Sequence, residues 1–204
     1  SSSALVECTH ADTHTAAMLK VFHPRKSGEF AREVANLRKC AAVAAGGEAR
    51  VVTIMNAFGP ERSHEGFSAA ELRAVGYGAL NTWLLAGPGG EGLGAAASGD
   101  EPTSSFARFP CILLRRGLKS LAAELAELHC GKFLGESADF AKQILLKCMR
   151  SAALSVAAIH RAGLVWCDCK PSNLVLTDHY YNMVAIDLGS AVAEDEPAQG
   201  GTFM

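Results

Sequence analysis

Apolar positions along this chain fall into runs with two different periods. Residues 15–22 (Thr-Ala-Ala-Met-Leu-Lys-Val-Phe) are mostly apolar over a strand's length and follow a polar, turn-like stretch at 9–14, which predicts a strand ending near Phe22. From Ser27 the period changes. Phe30, Val34 and Leu37 recur at i, i+4 and i+7, the stripe of an amphipathic helix, and Gly46-Gly47 stops it. Residues 50–58 read as a second buried strand, Phe109 to Leu114 as a third, and a polar turn Arg115-Arg116-Gly117 leads to a helix around Leu121 to Leu128.

The longest helical signal begins near Asp139. Phe140, Ile144 and Cys148 mark one row and Leu145, Met149, Ala152, Val156 and Ile159 the adjoining one, which predicts a largely buried helix closed by Gly163. Three short apolar stretches follow: Leu164-Val165-Trp166, Leu174-Val175-Leu176 and Met183 to Ile186. Between the two halves, 59–105 is different in kind. Ser68 and Glu71 have capping-box spacing, but Gly87 to Pro102 is Gly, Ala, Pro and Ser with few bulky side chains, and reads as an inserted surface loop. The order, strands with one helix and then a helical region carrying small strand pairs, predicts a two-part α+β architecture without internal repeats.

Composition narrows the function classes. With 204 residues, 49% of them hydrophobic, the chain can bury a core, and its 19 basic and 21 acidic residues give a formal net charge of −2. No global field favours nucleic acid or an anionic membrane. Seven cysteines form an odd set without disulfide-scaffold spacing, which points to a reducing, intracellular and most simply cytoplasmic setting. Leu145 to Ile159 is interrupted by Lys147 and Arg150, so no run is apolar enough to span a bilayer.

Two polar segments interrupt the apolar pattern of the second half. Asp168-Cys169-Lys170-Pro171-Ser172-Asn173 is placed between two apolar strands directly after the long helix. Alone, it reads as readily as a solvated hairpin turn, since Asp, Pro, Ser and Asn all have turn chemistry. Asp187-Leu188-Gly189 then ends the strand from Met183, an ionisable group beside a flexible glycine. Phosphoryl transfer needs a carboxylate that orients the acceptor, a cation near the transferred group and oxygen ligands for magnesium. Asp168, Lys170, Asn173 and Asp187 supply all three. In the first half, Glu33 lies three residues after Phe30 and four before Leu37, which turns its carboxylate to the apolar stripe, and a buried acid needs a cation. Lys20 is the natural partner. Cys167 and Cys169 have C-x-C spacing without a second pair near them in sequence, His160 reads as a helix-end residue, and the histidines lack ligand spacing.

These residues resemble the eukaryotic-type protein kinase domain. Trp166 to Leu176 resembles the catalytic loop H-R-D-L-K-P-x-N with its apolar tail, Ile186-Asp187-Leu188-Gly189 resembles the magnesium-binding D-F-G, and Ala17-Met18-Leu19-Lys20 resembles the V-A-I-K strand. Glu29 to Leu37 is similar to the regulatory helix, and Gly200 to Met204 to the late activation segment. The resemblance implies a two-lobe fold: a small β-rich N-lobe at 1–114, with the 59–105 insertion, and a truncated, mainly helical C-lobe at 115–204. It implies a Ser/Thr protein kinase using ATP and magnesium on a protein substrate. Asp168 would be the catalytic base, Lys170 would steady the phosphoryl group, and Asn173 and Asp187 would hold the metal. Lys20, paired with Glu33, would reach the α and β phosphates; Val6 and Val175 would sandwich adenine; Leu114 would be the gatekeeper, with Arg115 to Gly117 as the hinge.

The chain departs from the family pattern in several places. No G-x-G-x-x-G precedes Val6, Met18 replaces a small Ala, Arg115 and Arg116 stand in the hinge, and Trp166-Cys167 replaces H-R. The chain starts Ser1-Ser2-Ser3 and stops at Met204 before any A-P-E, so the resemblance implies a domain incomplete at both ends. The same departures leave open a pseudokinase or scaffold module that binds nucleotide weakly or not at all. That reading does not explain why Lys20, Glu33, Asp168, Asn173 and Asp187 should all be present.

Overall fold

The computed structural model describes residues 3–9, 16–44, 50–59, 67–68, 108–129 and 138–196. It is a mixed α+β protein with a four-stranded antiparallel sheet and, among the described residues, three α-helices. The chain divides into two compact units, Ser1–Val34 with Ile54–Arg115, and Ala35–Thr53 with Arg116–Met204. Gly46-Gly47, residues 69–71, Gly87 to Pro102 and Gly200 to Met204, all singled out above, lie outside the described residues.

In the first unit, β1 (Ser3–Thr9), β2 (Ala16–Phe22), β3 (Ile54–Phe58) and β6 (Cys111–Arg115) form the sheet in the order β1-β2-β6-β3. The pair β4 (Phe67–Ser68) and β5 (Arg108–Phe109) stands beside it in the chain, so part of the 59–105 stretch is strand. Side chains alternate across a strand, and residues directly opposite in an antiparallel pair share a face. The register Val6↔Leu19 therefore puts Val6 on one face, where Val6, Leu19, Val21, Phe109 and Cys111 make an apolar core. Leu5↔Lys20, Lys20↔Ile112 and Met18↔Leu114 put Leu5, Met18, Lys20, Ile112 and Leu114 on the other. A bulge between Ile54 and Asn56 re-aims β3 along β6.

Helix α1 (Ser27–Val43) follows a 3-10 turn at Pro24–Lys26. Phe30 and Glu33 face the sheet, and the Phe30 ring meets Phe22 edge-on, with centroids 5.6 Å apart. The apolar stripe read from the sequence is buried, with Phe30, Val34 and Leu37 joined by Glu33, Asn36 and Cys40.

The second unit is built on α2 (Leu121–His129) and α3 (Ala138–Arg161), with the antiparallel pairs β8 (Leu174–Leu176) with β9 (Met183–Ala185) and β7 (Leu164–Val165) with β10 (Val192–Ala193). One row of α3 is buried: Ile144, Cys148, Ser151, Ser155 and Ile159. Its serines bind β9 directly. Ser151 Oγ accepts from Met183 N at 2.8 Å and Ser155 Oγ donates to the Met183 carbonyl at 3.2 Å. The expectation of a largely buried helix does not hold, because Phe140 and Leu145 are exposed and Met149 is 61% exposed. A helix of period 3.6 turns the residues from Ile144 to Ile159 on one side to β7 and β9, while Phe140, Leu145 and Met149 point away.

The helix ends as the sequence indicates. Gly163 takes a φ of +70°, open to glycine at no steric cost, and its N–H reaches the His160 carbonyl at 2.8 Å. The expected strand at 50–58 is split between partners. Val51 and Val52 run parallel to β9, with Val52 N to Ala185 O at 2.9 Å and Ala185 N to Arg50 O at 3.0 Å, and only Ile54–Phe58 pairs with β6. Asp178 closes the β8–β9 hairpin by accepting from the backbone N of Tyr180 and Asn182, and the Asn182 side chain holds its carboxyl below the ordinary range. Among the described residues, no helix is long and apolar enough to cross a membrane.

Candidate functional site

Within the first unit, the feature that departs from an apolar sheet is Lys20. It occupies a position on β2 between Leu19 and Val21, and it is itself buried, on the opposite face from them. Its ammonium donates to both carboxylate oxygens of Glu33, at 2.8 and 2.7 Å, and lies 5.2 Å from the Phe22 ring centroid. Glu33 is 1% exposed. Two opposite charges buried together, with two short hydrogen bonds, satisfy a pairing that neither could leave without a large desolvation penalty. The lysine is thereby fixed in direction, which a solvated lysine at a strand end is not.

Around Lys20, on its own face, stand Leu5, Met18, Ile112 and Leu114. Leu114 is buried, and Arg115 at the end of β6 is exposed. Val6 is placed differently from the sequence reading. At 3% exposure it lies in the core on the face opposite Lys20, while Leu5, 56% exposed, shares Lys20's face. A shift of one residue along a strand exchanges faces, and the sequence reading chose the wrong member of the Leu5-Val6 pair for the Lys20 side.

Within the second unit, the polar segment after β7 folds around Asp168. Lys170 Nζ donates to Asp168 Oδ2 at 2.6 Å, and Asn173 Nδ2 donates to the same oxygen and to the Asp168 carbonyl, both at 3.0 Å. Pro171–Asn173 forms a single 3-10 turn, entered at proline's natural φ, that brings Asn173 back toward Asp168. Asp168 and Lys170 remain partly exposed, and Asn173 is buried. Among the described residues, Asp168 Oδ1 and Asn173 Oδ1 have no hydrogen-bond partner. Burial and the neighbouring Asp168 push the Cys169 thiol up, which keeps it protonated beside that carboxylate.

Asp187 is brought alongside by the backbone. Ile186 N donates to the Asn173 carbonyl at 2.9 Å, so the residue after β9 abuts the residue before β8. Asp187 itself has a φ of +61°, one of two non-glycine residues with positive φ among those described. An aspartate tolerates this left-handed region better than most residues but still at a cost, and such strain gathers at functional sites. Trp166, buried, donates its indole Nε1–H to the Asp187 carbonyl at 3.3 Å. The segments 166–173 and 186–187 are thus joined at two points.

Gly117 and Val175 also meet. A Cβ built on Gly117 would stand 2.1 Å from Val175 Cγ1 and 2.9 Å from the Leu176 carbonyl, so the position admits only glycine. The chain there runs along β8: Leu118 N reaches Leu176 O at 2.7 Å and Leu176 N reaches Lys119 O at 2.9 Å. Just beyond, Ser120 Oγ caps α2 at Ala123 N, and the buried Glu124 forms an ion pair with Lys119. That pair, like Leu5, was not singled out in the sequence.

Asn173 and Asp187 carry oxygen donors of the kind a hard cation takes. With the Asn173 amide nitrogen committed to Asp168, its Oδ1 is the atom left to coordinate, and the backbone of Asp187 follows the Ile186 N–H that bonds to Asn173. Magnesium binds through one or two carboxylates or amides together with substrate phosphates. Among the described residues, no group of three or more His, Cys, Asp and Glu side chains stands together to hold a metal ion. No protein-family model matches this chain, and no curated protein matches it either.

Proposed function

We propose that this chain is a protein kinase domain of the Ser/Thr type, transferring the γ-phosphate of ATP to a protein hydroxyl. The observation that carries the reading is the junction in the second unit where Ile186 bonds to Asn173. It brings the Asp168–Lys170–Asn173 cluster beside a left-handed Asp187. A solvated hairpin turn has no use for a buried asparagine that braces a carboxylate, nor for a strained aspartate at the next strand's end.

In this reading, Asp168 accepts the acceptor's hydroxyl proton through Oδ1, while Lys170 and Asn173 hold Oδ2 and so fix the carboxylate's direction. Lys170, whose ammonium donates to Asp168 Oδ2, is the cation that would steady the transferred phosphoryl group. Asn173 Oδ1 and the Asp187 carboxylate are the atoms that would hold magnesium. Bound magnesium neutralises charge on the β and γ phosphates. In the first unit, the ammonium oriented by Glu33 makes Lys20 the group for the α and β phosphates. In the same unit, Leu114 and Leu5, in place of Val6, are the apolar groups offered to adenine.

One observation favours a second reading, a pseudokinase or scaffold module that binds nucleotide weakly or not at all. Met18 shares the face of Lys20 and Leu114, where its side chain takes up room that a small residue would leave open. Thermal denaturation with ATP and magnesium separates the two. A ligand at a hundred times its Kd stabilises by about 2.7 kcal/mol, so the kinase reading expects a shift of several degrees that Asp187→Ala abolishes. It also expects phosphate transfer to a generic protein substrate that Asp168→Ala removes. Absence of the shift favours the scaffold, and transfer that survives Asp168→Ala ends the assignment of that residue as base.

A further inference from the structure

The turn that follows Asp187 is held by a side chain outside the loop and hairpin described above. Asn36 is 5% exposed on the buried stripe of α1. Its Nδ2 donates to two backbone carbonyls, Leu188 O and Ala191 O, each at 2.9 Å. Both hydrogens of the amide are therefore spent on one turn, which closes on itself through Ala191 N to Leu188 O at 3.1 Å. Leu188 and Ala191 are fully buried, so neither carbonyl has water as an alternative partner. Inside that turn, Ser190 Oγ is the buried side-chain polar atom that has no partner among the described residues. Ser190 therefore adds no side-chain hydrogen bond of its own to the turn.

We propose that Asn36 is a positioning residue for Asp187. Trp166 holds the Asp187 carbonyl, and Asn36 holds the next two available carbonyls of the same segment. A residue at φ +61° relaxes toward the ordinary regions when the chain on either side is free to move. With the carbonyls of 187, 188 and 191 all taken, the Asp187 carboxylate stays directed where the strained backbone places it. Neither an indole nor an amide titrates near neutrality, so this restraint does not depend on pH. The consequence for metal binding rests on the kinase reading; the restraint on the turn does not.

Amide hydrogen exchange on the full chain tests the restraint alone. Loss of two buried hydrogen bonds in Asn36→Ala is expected to speed exchange over residues 187–193 by about tenfold or more, leaving residues 144–156 of α3 unchanged. Asn36→Asp keeps the shape but removes both donors, so it should do the same and guards against a packing artefact of the alanine. Equal acceleration throughout, or none at 187–193, overturns the proposal. Titration with ATP, with and without magnesium, tests the consequence: Asn36→Asp should weaken the magnesium complex about tenfold and leave metal-free ATP unchanged. Equal weakening of both, or of neither, removes Asn36 from the positioning of Asp187. If the unaltered chain shows no magnesium-dependent binding, the kinase reading and the metal consequence fall together, while the exchange result still decides whether Asn36 holds the turn.

Discussion

Glu33 receives two short hydrogen bonds from one donor, the ammonium of Lys20, and both side chains are buried. Breaking one side of such a pair costs more than removing both, because the survivor is left charged and dry. Lys20→Met is therefore expected to destabilise the chain by about 3–5 kcal/mol, and Lys20→Met with Glu33→Leu to recover much of that loss. Urea denaturation of the two variants against the parent measures it. A single variant costing under about 1 kcal/mol would show the pair to be solvated.

Gly117 allows β8 its closest approach to the preceding segment. Gly117→Ala would drive a methyl group into Val175 Cγ1 and toward the Leu176 carbonyl, neither of which can yield without moving the strand. A loss of about 1–3 kcal/mol is expected. Gly117→Ala with Val175→Ala should restore part of it, read by the same denaturation.

His23 caps β2 with its ring buried edge-on against Phe109, and its Nδ1 accepts from Arg25 N. Burial, aided by the Arg25 charge, lowers its pKa from the ordinary 6.5. The unfolded chain then takes up a proton at a pH where the folded chain does not. This contribution to stability is complete above about pH 6.5 and is lost as the pH falls toward the folded value. His23→Phe keeps the ring and removes the titration. The difference in unfolding free energy between parent and variant should shift steadily against the parent from about pH 7 to 5; a flat difference would place His23 in water.

Trp166 gives Asp187 a donor that cannot lose its proton. Trp166→Phe removes the N–H and is expected to weaken magnesium–ATP binding several-fold. Trp166→His returns a ring N–H on a smaller ring. It should recover more of the magnesium–ATP affinity than of the melting temperature, because the lost volume remains lost. Calorimetric titration beside a melting curve separates the two effects.

Elements with a strong period were legible in the sequence. The stripe Phe30-Val34-Leu37 announced α1, Gly163 announced the end of α3, and the placement of Glu33 on an apolar stripe was enough to demand a cation. What stayed hidden depended on pairing partners. Choosing Val6 over Leu5 required the β1–β2 register, which alternation alone leaves ambiguous when both residues are apolar. The exposed row of α3 was misread because hydrophobicity marks what a helix can bury, not what stands opposite it. Asn36 did carry a signal, a polar residue three after Glu33 and four before Cys40 on the same stripe. Its targets, two carbonyls some 150 residues further on, have no signature in sequence.

The grouping of Arg50, Val51 and Val52 with β9 has a practical meaning for anyone dissecting the chain. The backbone of Ala185 takes one hydrogen bond from Val52 and gives one to Arg50, and both would vanish from a piece cut at the Arg115–Arg116 bond. Such a piece would expose a bare strand edge, ready to pair with its neighbours in the tube. Added back in trans, a short peptide spanning 35–53 should rescue its solubility, whereas the same peptide with proline at Val52 should not, since proline has no N–H to give Ala185.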